Sequence, residues 1–449
     1  MFATSYTNER SSLWVPGLAL AFLLLLTMAG CQSEKTETQL PDQIFFLAVD
    51  ALSYERIDIL LARGELPNFR QLIDGGARLE PKSIRPIEPL SAWSTALTGK
   101  LPKKHRHLGH LSQIPNGSLS VTPSSMRQTQ HIWQLLSQNN VMSAGVGFPG
   151  TWPAETINGF LVSNVYTPTR WMETAENSFQ RLVGLAECFP PRLCEEITPY
   201  VHDEEIAREA VARFFVLNED EYGMIYDEPL GSVINKDNPL RDFAITYLAD
   251  SSNCDVALYL QENYSPRFIG VYMELLQTLQ SAFWPFAEPD LYQTPPENNR
   301  RFKKTIDEGY RLVDEQIGRW RERMTERSVL IVMSEHGFGT SYPPEDSERE
   351  RKPYPVSKDP AVMLLYGYGI RDGVKIQAGS IADLVPTVLA LFGKDVASDM
   401  DGSVPLDALE PSFLAAHPIR AVQTYDDGWP GPDRYPPLAG VSDPRNPGP

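Results

Sequence analysis

The sequence predicts an α/β fold, with a mainly parallel central sheet, helices on both faces and an inserted helical cap. Apolar runs such as "QIFFLAVD" and "VLIVMSE" alternate with amphipathic segments. Strands that are apolar on both faces are typical of parallel sheets covered by helices. Between residues 167 and 264 this alternation stops and acidic and aromatic residues dominate, which indicates an insertion.

The N-terminus predicts a lipoprotein signal peptide over residues 1–30. Residues 13–28 form an apolar run that ends in "TMAGC". Small residues before a cysteine are typical of a lipobox, so we expect cleavage before Cys31 and lipid attachment to its thiol. The alternative is an uncleaved anchor helix, although the run is short for a span of ~20 residues. Residues 31–42 are then a tether. Gln32 favours the outer over the inner membrane, on the periplasmic side of a bacterial cell envelope.

The composition is that of a large acidic protein. The 449 residues are 42% hydrophobic, enough for one large domain with an insertion or for two domains. The net charge of −18 repels phosphate backbones, so nucleic acid is not an expected partner, whereas the lipid anchor implies a membrane. An oxidising periplasm permits a disulfide, and the short spacing of Cys188 and Cys194 favours a bridge between them, with Cys254 left over.

The core elements follow in order over residues 43–166 and 265–410. "QIFFLAVD" predicts a strand, "SYERIDILLARGELP" and "HIWQLLSQNN" predict helices, and "VMSAGVGF" predicts another strand. After the cap, "RFIGVYMEL" predicts a strand, and apolar residues three or four apart predict a helix from Phe302. "VLIVMS" and "AVMLLYG" predict strands, and "SIADLVPTVLALFG" a closing helix. Residues 411–449 form a Pro/Gly-rich tail that we expect to wrap the surface or to be disordered.

Several ordered motifs carry a family resemblance: "FFLAVDALSYE", "GELPNFRQLIDGGAR", "AWSTALTGKLPKKH", "VGFPGTWPAETINGFLVSN" and "VLIVMSEHGFG". Together they resemble the alkaline phosphatase superfamily, and within it the type I phosphodiesterase / nucleotide pyrophosphatase-like phosphohydrolases. The resemblance implies an alkaline phosphatase-like α/β/α sandwich. It also implies two divalent metals that lie on either side of a Ser or Thr nucleophile and hold the phosphoryl oxygens.

Three residues match the protein ligands of one of these metals. Asp50 ends the first strand, and Glu335 and His336 stand where the family has Asp-His. Glu keeps the charge but reaches one methylene further. Two carboxylates and one imidazole are a reasonable ligand set for Zn²⁺ or Mn²⁺. We therefore expect the three side chains to converge at the C-terminal edge of the sheet. The alternative is that Asp50 caps a helix and His336 is a hydrogen-bonded packing residue.

The resemblance breaks at the nucleophile. The family pattern reads Ser-Pro-x-x-Trp-Thr-Ser-x-x-Thr-Gly, and "PLSAWSTALTG" aligns with it on Trp93, Thr98 and Gly99. Pro89 then takes the nucleophile's place, and proline has no nucleophilic side chain. Ser91, two residues on, is the candidate substitute for the catalytic residue. Its alternative role is an N-terminal helix cap.

The second metal is predicted to be absent. Gln277 and Ser281 stand where the family has Asp and His, and Ser357 stands where it has the final His. None of these is a good Zn²⁺ ligand. We therefore expect one divalent metal at most.

Three further features of the sequence offer weaker candidates. The histidines of "KKHRHLGH", at positions 105, 107 and 110, form a candidate metal trap, although we expect solvated or capping histidines in such a loop. Glu274 lies on the right strand, and we expect it to face a helix layer. "CFPPR" matches a sulfatase pattern but lies inside the predicted cap, far from Asp50, so a structural disulfide is the expected role of its cysteine.

Two functions follow. One is a catalytically degenerate pseudoenzyme that keeps the fold as a binding or scaffold module for a phosphoester ligand or a protein partner. The other is an active metal-dependent phosphodiesterase or phosphatase with a rebuilt site. The site residues favour the first, because function depends on the site and not on the fold alone.

Overall fold

A computed structural model describes most of the chain: residues 39–109, 111–113, 119–165, 187–226, 238–343 and 352–429, with residues 1 and 431. Several predicted features lie outside the described residues: the signal peptide, Cys31, His110, and the parts of the cap and tail at 167–186, 227–237 and 432–449.

One large sheet forms the centre of the protein. The strands of the described part are β1 (Gln43–Val49), β2 (Gly76–Leu79), β3 (Leu111–Gln113), β4 (Leu119–Val121), β5 (Ser143–Val146), β6 (Gly159–Val162), β7 (Cys188–Phe189), β8 (Phe268–Met273), β9 (Ser328–Ser334), β10 (Gly337–Ser341), β11 (Tyr354–Lys358), β12 (Val362–Gly367), β13 (Val374–Ile376), β14 (Val396–Ala397) and β15 (Ala421–Val422). Nine of them pair in the order β13-β2-β12-β9-β1-β8-β5-β6-β7. Most pairings are parallel, and β12 and β7 are the antiparallel strands. The predicted α/β fold with a mainly parallel sheet is therefore confirmed.

Helices cover both faces of the sheet. The α-helices of the described part are Tyr54–Ala62, Pro67–Asp74, Pro89–Thr98, Pro102–His105, Ile132–Gln138, Leu193–Ile197, Glu204–Phe214, Glu219–Tyr226, Pro239–Tyr264, Leu275–Ala287, Pro289–Tyr292, Pro296–Phe302, Thr305–Arg321, Leu384–Leu391 and Pro411–Ala416. The helix predicted from Phe302 begins at Thr305, because Phe302 ends the preceding helix, Pro296–Phe302.

The central strand β1 separates two hydrophobic cores. Its residues alternate between the faces, so Phe45 joins one cluster and Phe46 the other. Phe45 packs on Trp320 with ring centroids 5.2 Å apart, and Phe46 stacks on Phe148 at 5.6 Å. A strand that contributes to a core on each face must be apolar throughout, which explains the uninterrupted run in the sequence.

The described part of the predicted cap consists mainly of helices. The longest, Pro239–Tyr264, packs against β5 and β8 and buries Leu248 and Val256 in the same cluster as Phe45. This helix therefore covers one face of the sheet. None of the helices in the described ranges is both long and apolar enough to span a membrane.

Three of the four cysteines lie in the described part of the chain. Cys188, in the edge strand β7, is joined to Cys194 by a disulfide with Cα atoms 5.6 Å apart, and Cys254 is a buried free thiol. The cysteine of "CFPPR" is thus part of a covalent link between β7 and the helix Leu193–Ile197.

The chain after Pro411 begins with a short helix and continues to β15, which pairs with β14. The buried ammonium group of Lys100 lies 2.6 Å from a carboxylate oxygen of Asp399 and 2.7 Å from one of Asp426. This pairing fastens the described part of the predicted tail to the core.

Candidate functional site

Asp50, Glu335 and His336 lie together at the C-terminal edge of the sheet. Parallel pairing of β1 with β9 brings the ends of both strands to this edge, as the sequence predicts. The Nε2 atom of His336 lies 3.3 Å from Oδ1 of Asp50 and 3.5 Å from Oε1 of Glu335. All three side chains are buried, and one ligand atom from each lies within 4.8 Å of the others.

The atoms that face one another in this triad have no other partner. Oδ1 of Asp50, Oε1 of Glu335 and Nε2 of His336 are buried without a hydrogen bond. The Nδ1 atom of His336 lies 2.9 Å from the carbonyl oxygen of Gly337. Nδ1 donates that hydrogen bond, and Nε2, which holds the lone pair in a neutral imidazole, points at the two carboxylates. Two carboxylate oxygens and one imidazole lone pair fit a divalent cation, which would satisfy all three.

Neighbouring groups hold the triad in place. The hydroxyl of Tyr272 donates to Oδ2 of Asp50 at 2.9 Å. The hydroxyl of Ser334 donates to the carbonyl oxygen of His336 at 2.8 Å and accepts from the backbone N–H of Leu52 at 3.1 Å. Asp50 and the Glu335-His336 turn are therefore fixed by groups on both adjacent strands. Asp50 caps no helix, since the helix after β1 begins at Tyr54.

The two carboxylates affect each other strongly. Burial, and then the nearby charge of Asp50, raise the pKa of Glu335 well above its usual range. Burial and the same charge also raise the pKa of Tyr272. Two carboxylates in such a site both stay charged only when a cation lies between them, and otherwise one of them takes up a proton. A bound metal would supply that positive charge and would polarise an oxygen ligand.

Ser91 lies in the helix Pro89–Thr98, at its third position. Its backbone N–H donates to Oε2 of Glu88 at 2.7 Å, so Glu88 rather than Ser91 caps the helix. Its carbonyl accepts from the hydroxyl of Thr95 at 2.8 Å. The helix runs beside the site, since the rings of Trp93 and Tyr272 are 5.5 Å apart. Ser91 is not a member of the triad that the structure brings together.

The three positions aligned with the second metal's ligands lie on two elements, the helix Leu275–Ala287 and the strand β11. Gln277 donates to Ser281 at 3.0 Å on a partly exposed face of their helix. Ser357 lies on β11, opposite Phe338. The side chain of this helix that does reach the site is Gln280. It is buried and donates to the carbonyl oxygen of Ala51 at 2.7 Å.

Glu274 follows β8 just as Asp50 follows β1, and the two strand ends are in register. Its backbone N–H donates to Oδ1 of Asp250 at 3.0 Å. Its side chain is exposed to solvent, so the expectation that it faces a helix layer is wrong. Neighbouring protein atoms partly desolvate the carboxyl group, and this desolvation, followed by the charges of Asp50 and Asp242, raises its pKa to about 7. Glu274 is therefore an accessible carboxyl group beside the closed triad.

The histidines of "KKHRHLGH" within the described residues are buried, not solvated. Nδ1 of His105 accepts from the backbone N–H of His107 at 3.0 Å, and Nε2 lies 3.1 Å from the hydroxyl of Thr95. Nδ1 of His107 lies 2.8 Å from the hydroxyl of Ser94. These imidazoles are hydrogen-bonded packing groups, and they do not form a metal-binding group.

Comparison with known proteins identifies the family and the fold of this chain. The family described as type I phosphodiesterase / nucleotide pyrophosphatase matches residues 44–355. The structure of the alkaline phosphatase PafA is 11% identical, with a TM-score of 0.52, over 83% of this chain and 99% of that chain. An inactive murine ectonucleotide pyrophosphatase / phosphodiesterase 5, in complex with AMP, is 12% identical with a TM-score of 0.44, over 82% of this chain and 100% of that chain. No curated protein matches the sequence.

At such low identity the likeness to PafA shows the fold alone, and that fold is the predicted alkaline phosphatase-like one. The family match is of a different kind, because it covers well over half of the chain, including Asp50, Glu335 and His336. Members of this family are metal-dependent, in keeping with the ligand set at the sheet edge. The chain belongs to the type I phosphodiesterase / nucleotide pyrophosphatase family, within the alkaline phosphatase superfamily.

Proposed function

We propose that this protein is a catalytically degenerate member of its family, which binds one divalent metal and acts as a binding or scaffold module. The observation that carries the proposal is Pro89 at the first position of the helix Pro89–Thr98. The family resemblance gives this position to the nucleophile, and a proline ring cannot form a covalent phosphoryl intermediate. Ser91, the nearest hydroxyl in the sequence, lies two residues further along this helix and is buried there.

The metal of this proposal is Zn²⁺ or Mn²⁺, held by Asp50, Glu335 and His336. The support is the set of three buried atoms without hydrogen bonds, all directed at one another. One ion can polarise a phosphoryl oxygen, but it cannot stabilise the attacking and the leaving oxygen together as two ions do. The proposal gives the second ion no site, because Gln277 and Ser281 stand in place of two of its ligands and bond to each other on a partly exposed helix face.

The protein is proposed to act at the bacterial cell envelope, lipid-anchored through Cys31 on the periplasmic side, with the outer membrane favoured. The support is the apolar run that ends in "TMAGC". A protein partner or a phosphoester is the proposed ligand, and the net charge of −18 argues against nucleic acid. Cys31→Ser should abolish labelling with palmitate. Unchanged labelling would remove the anchor from the proposal.

A second candidate is an active metal-dependent phosphodiesterase or phosphatase with a rebuilt site. Glu274 favours it, because an accessible carboxyl group beside the metal ligands is well placed to take a proton from an attacking water. In this case Ser91 or Glu274 would replace the missing parts of the family's chemistry.

One experiment separates the two candidates. Full-length protein purified in detergent is assayed for metal content and for hydrolysis of a nitrophenyl phosphodiester, beside His336→Ala and a control, His417→Ala, which removes a half-buried histidine near the C-terminus. The pseudoenzyme proposal expects at most one metal per chain, lost in His336→Ala and kept in His417→Ala, with hydrolysis near background throughout. Two metals per chain, or brisk hydrolysis that His336→Ala abolishes, would support the enzyme. Glu274→Gln and Ser91→Ala would then identify the replacement group.

A further inference from the structure

A second concave site lies at the edge of the sheet opposite the metal-binding triad. A cavity of about 470 Å³ opens where β9 begins and β12 ends, and Ser328 and Tyr366 contribute to its lining. Ser328 is the first residue of β9 and Ser334 the last, and Glu335 follows. At ~3.3 Å per residue these two ends are ~20 Å apart. The cavity is therefore separate from the triad, and its volume is within the range of small-molecule sites.

Arg321 gives this cavity an unneutralised positive charge. It ends the helix Thr305–Arg321, and its Nη1 donates to Oδ1 of Asn68 at 2.8 Å. Its Nε is buried and has no hydrogen-bond partner, and among the described residues no carboxylate forms an ion pair with it. Arg323, two residues on, differs in that it pairs with Glu262 at 2.6 Å. Arg321 lines the cavity, so its charge acts on a ligand there without a paired carboxylate among the described residues.

The rim of the cavity carries the opposite charge. Glu326 and Asp372 line it, and both are exposed. Exposed charges are screened by water and interact weakly, whereas the half-buried Arg321 acts in a less polar environment. Tyr366 and Tyr368 also line the cavity and give it an aromatic wall. The guanidinium of Arg321 lies 5.9 Å from the ring centroid of Tyr366.

This distribution of charge selects a class of ligand. A simple anion would bind Arg321 but would be repelled by the two rim carboxylates. A simple cation would be attracted by the rim but repelled by Arg321. A molecule with an anionic group at one end and an ammonium group at the other satisfies both, and its ammonium end also gains from an aromatic wall.

We propose that this cavity binds a small zwitterion, with its anionic group on Arg321 and its ammonium group beside Glu326 and Asp372. This site goes beyond the proposed function, because it uses none of the metal-binding residues and lies at the other edge of the sheet.

Calorimetric titration of the full-length protein in detergent tests the proposal. The probes are phosphoethanolamine, which carries both charges, inorganic phosphate, which carries only the negative charge, and ethanolamine, which carries only the positive charge. EDTA is present so that a metal at the triad does not contribute. Phosphoethanolamine should bind at least tenfold more tightly than either of the other two. Arg321→Gln should weaken its binding tenfold or more, and the matched control Arg323→Gln should leave it unchanged.

Two more variants keep the test decisive if Arg321→Gln does not fold. Arg321→Lys keeps the charge but loses the forked donor, so it should bind phosphoethanolamine with intermediate affinity. Asp372→Asn should lower the ratio of the affinity for phosphoethanolamine to the affinity for phosphate. Equal affinity for phosphoethanolamine and phosphate, no measurable binding of phosphoethanolamine, or full affinity in Arg321→Lys and Asp372→Asn would each overturn the proposal.

Discussion

Acid should destabilise this protein through His105 in particular. The imidazole is fully buried, and its Nδ1 accepts a hydrogen bond from the backbone N–H of His107. A proton at Nδ1 would break that bond and place a positive charge near Arg127. Burial, and then the charge of Arg127, lower the pKa of His105 from 6.5 to about 4. The folded state therefore resists a proton that the unfolded chain accepts readily.

The size of the effect follows from the two pKa values. Because the unfolded state binds more protons, the free energy of unfolding falls as the pH falls. Above pH 6.5 the contribution is complete, and it is lost progressively as the pH drops towards the folded pKa of about 4. The loss from His105 amounts to about 1 kcal/mol at pH 5.5 and about 3 kcal/mol at pH 4.

The perturbation that isolates this loss is His105→Asn. The asparagine side-chain oxygen can accept the hydrogen bond from His107 but does not titrate. Urea unfolding followed by tryptophan fluorescence at pH 7.5, 5.5 and 4 gives the free energy of unfolding for both proteins. The variant should lose about 3 kcal/mol less than the wild type between pH 7.5 and 4. His417→Asn, far along the chain, should behave as the wild type. Parallel curves for the wild type and His105→Asn would refute the reasoning.

Three other outcomes are expected. Zn²⁺ or Mn²⁺ at ~100 times its dissociation constant should stabilise the wild type by about 2.7 kcal/mol. For a chain of this size that corresponds to a rise of ~3 °C in melting temperature, which a thermal melt measures and which His336→Ala should not show. Replacing Cys188 and Cys194 by serine should lower the free energy of unfolding by about 2 kcal/mol, from the loop entropy of a short ring, and an unchanged urea midpoint would contradict this. Lys100→Met removes the buried cation that holds Asp426, so limited proteolysis should cut the chain near that residue sooner than in the wild type, and an equal rate of cleavage would argue against this clamp.

The family resemblance predicts the triad, and the positions of its residues at strand ends support that prediction. An apolar run that ends in a carboxylate marks the C-terminal end of a buried strand, and parallel neighbours bring such ends together. Asp50, Glu335 and His336 are found where this reasoning puts them. The convergence therefore required the order and direction of the strands but no detail of side-chain packing.

The supporting groups could not be predicted in this way. Tyr272 lies inside an apolar run and reads as an ordinary core residue, although its hydroxyl reaches Asp50. Gln280 follows the aligned Gln277 by three residues, which is slightly less than one turn of the helix. Which of the two faces the sheet depends on how the helix packs, and the structure buries Gln280. The burial of the histidines at 105 and 107, which the sequence predicts to be solvated or capping, could not be predicted for a similar reason, since only the tertiary packing of their loop buries them.

If the proposed loss of the second metal is right, burial explains why the first metal-ligand set remains. Asp50, Glu335 and His336 are each at most 1% exposed. Removing one of them would leave the others as buried polar groups with one partner fewer, which costs several kcal/mol when charges are involved. The three residues are therefore energetically coupled, with or without catalysis. Gln277 and Ser281 lie on a partly exposed helix face, and at an exposed position such as Ser281 a substitution changes stability by roughly 0.5 kcal/mol or less. Loss of a catalytic function would thus leave a closed, stabilising metal centre and erase the exposed one, the pattern of residues found in this chain.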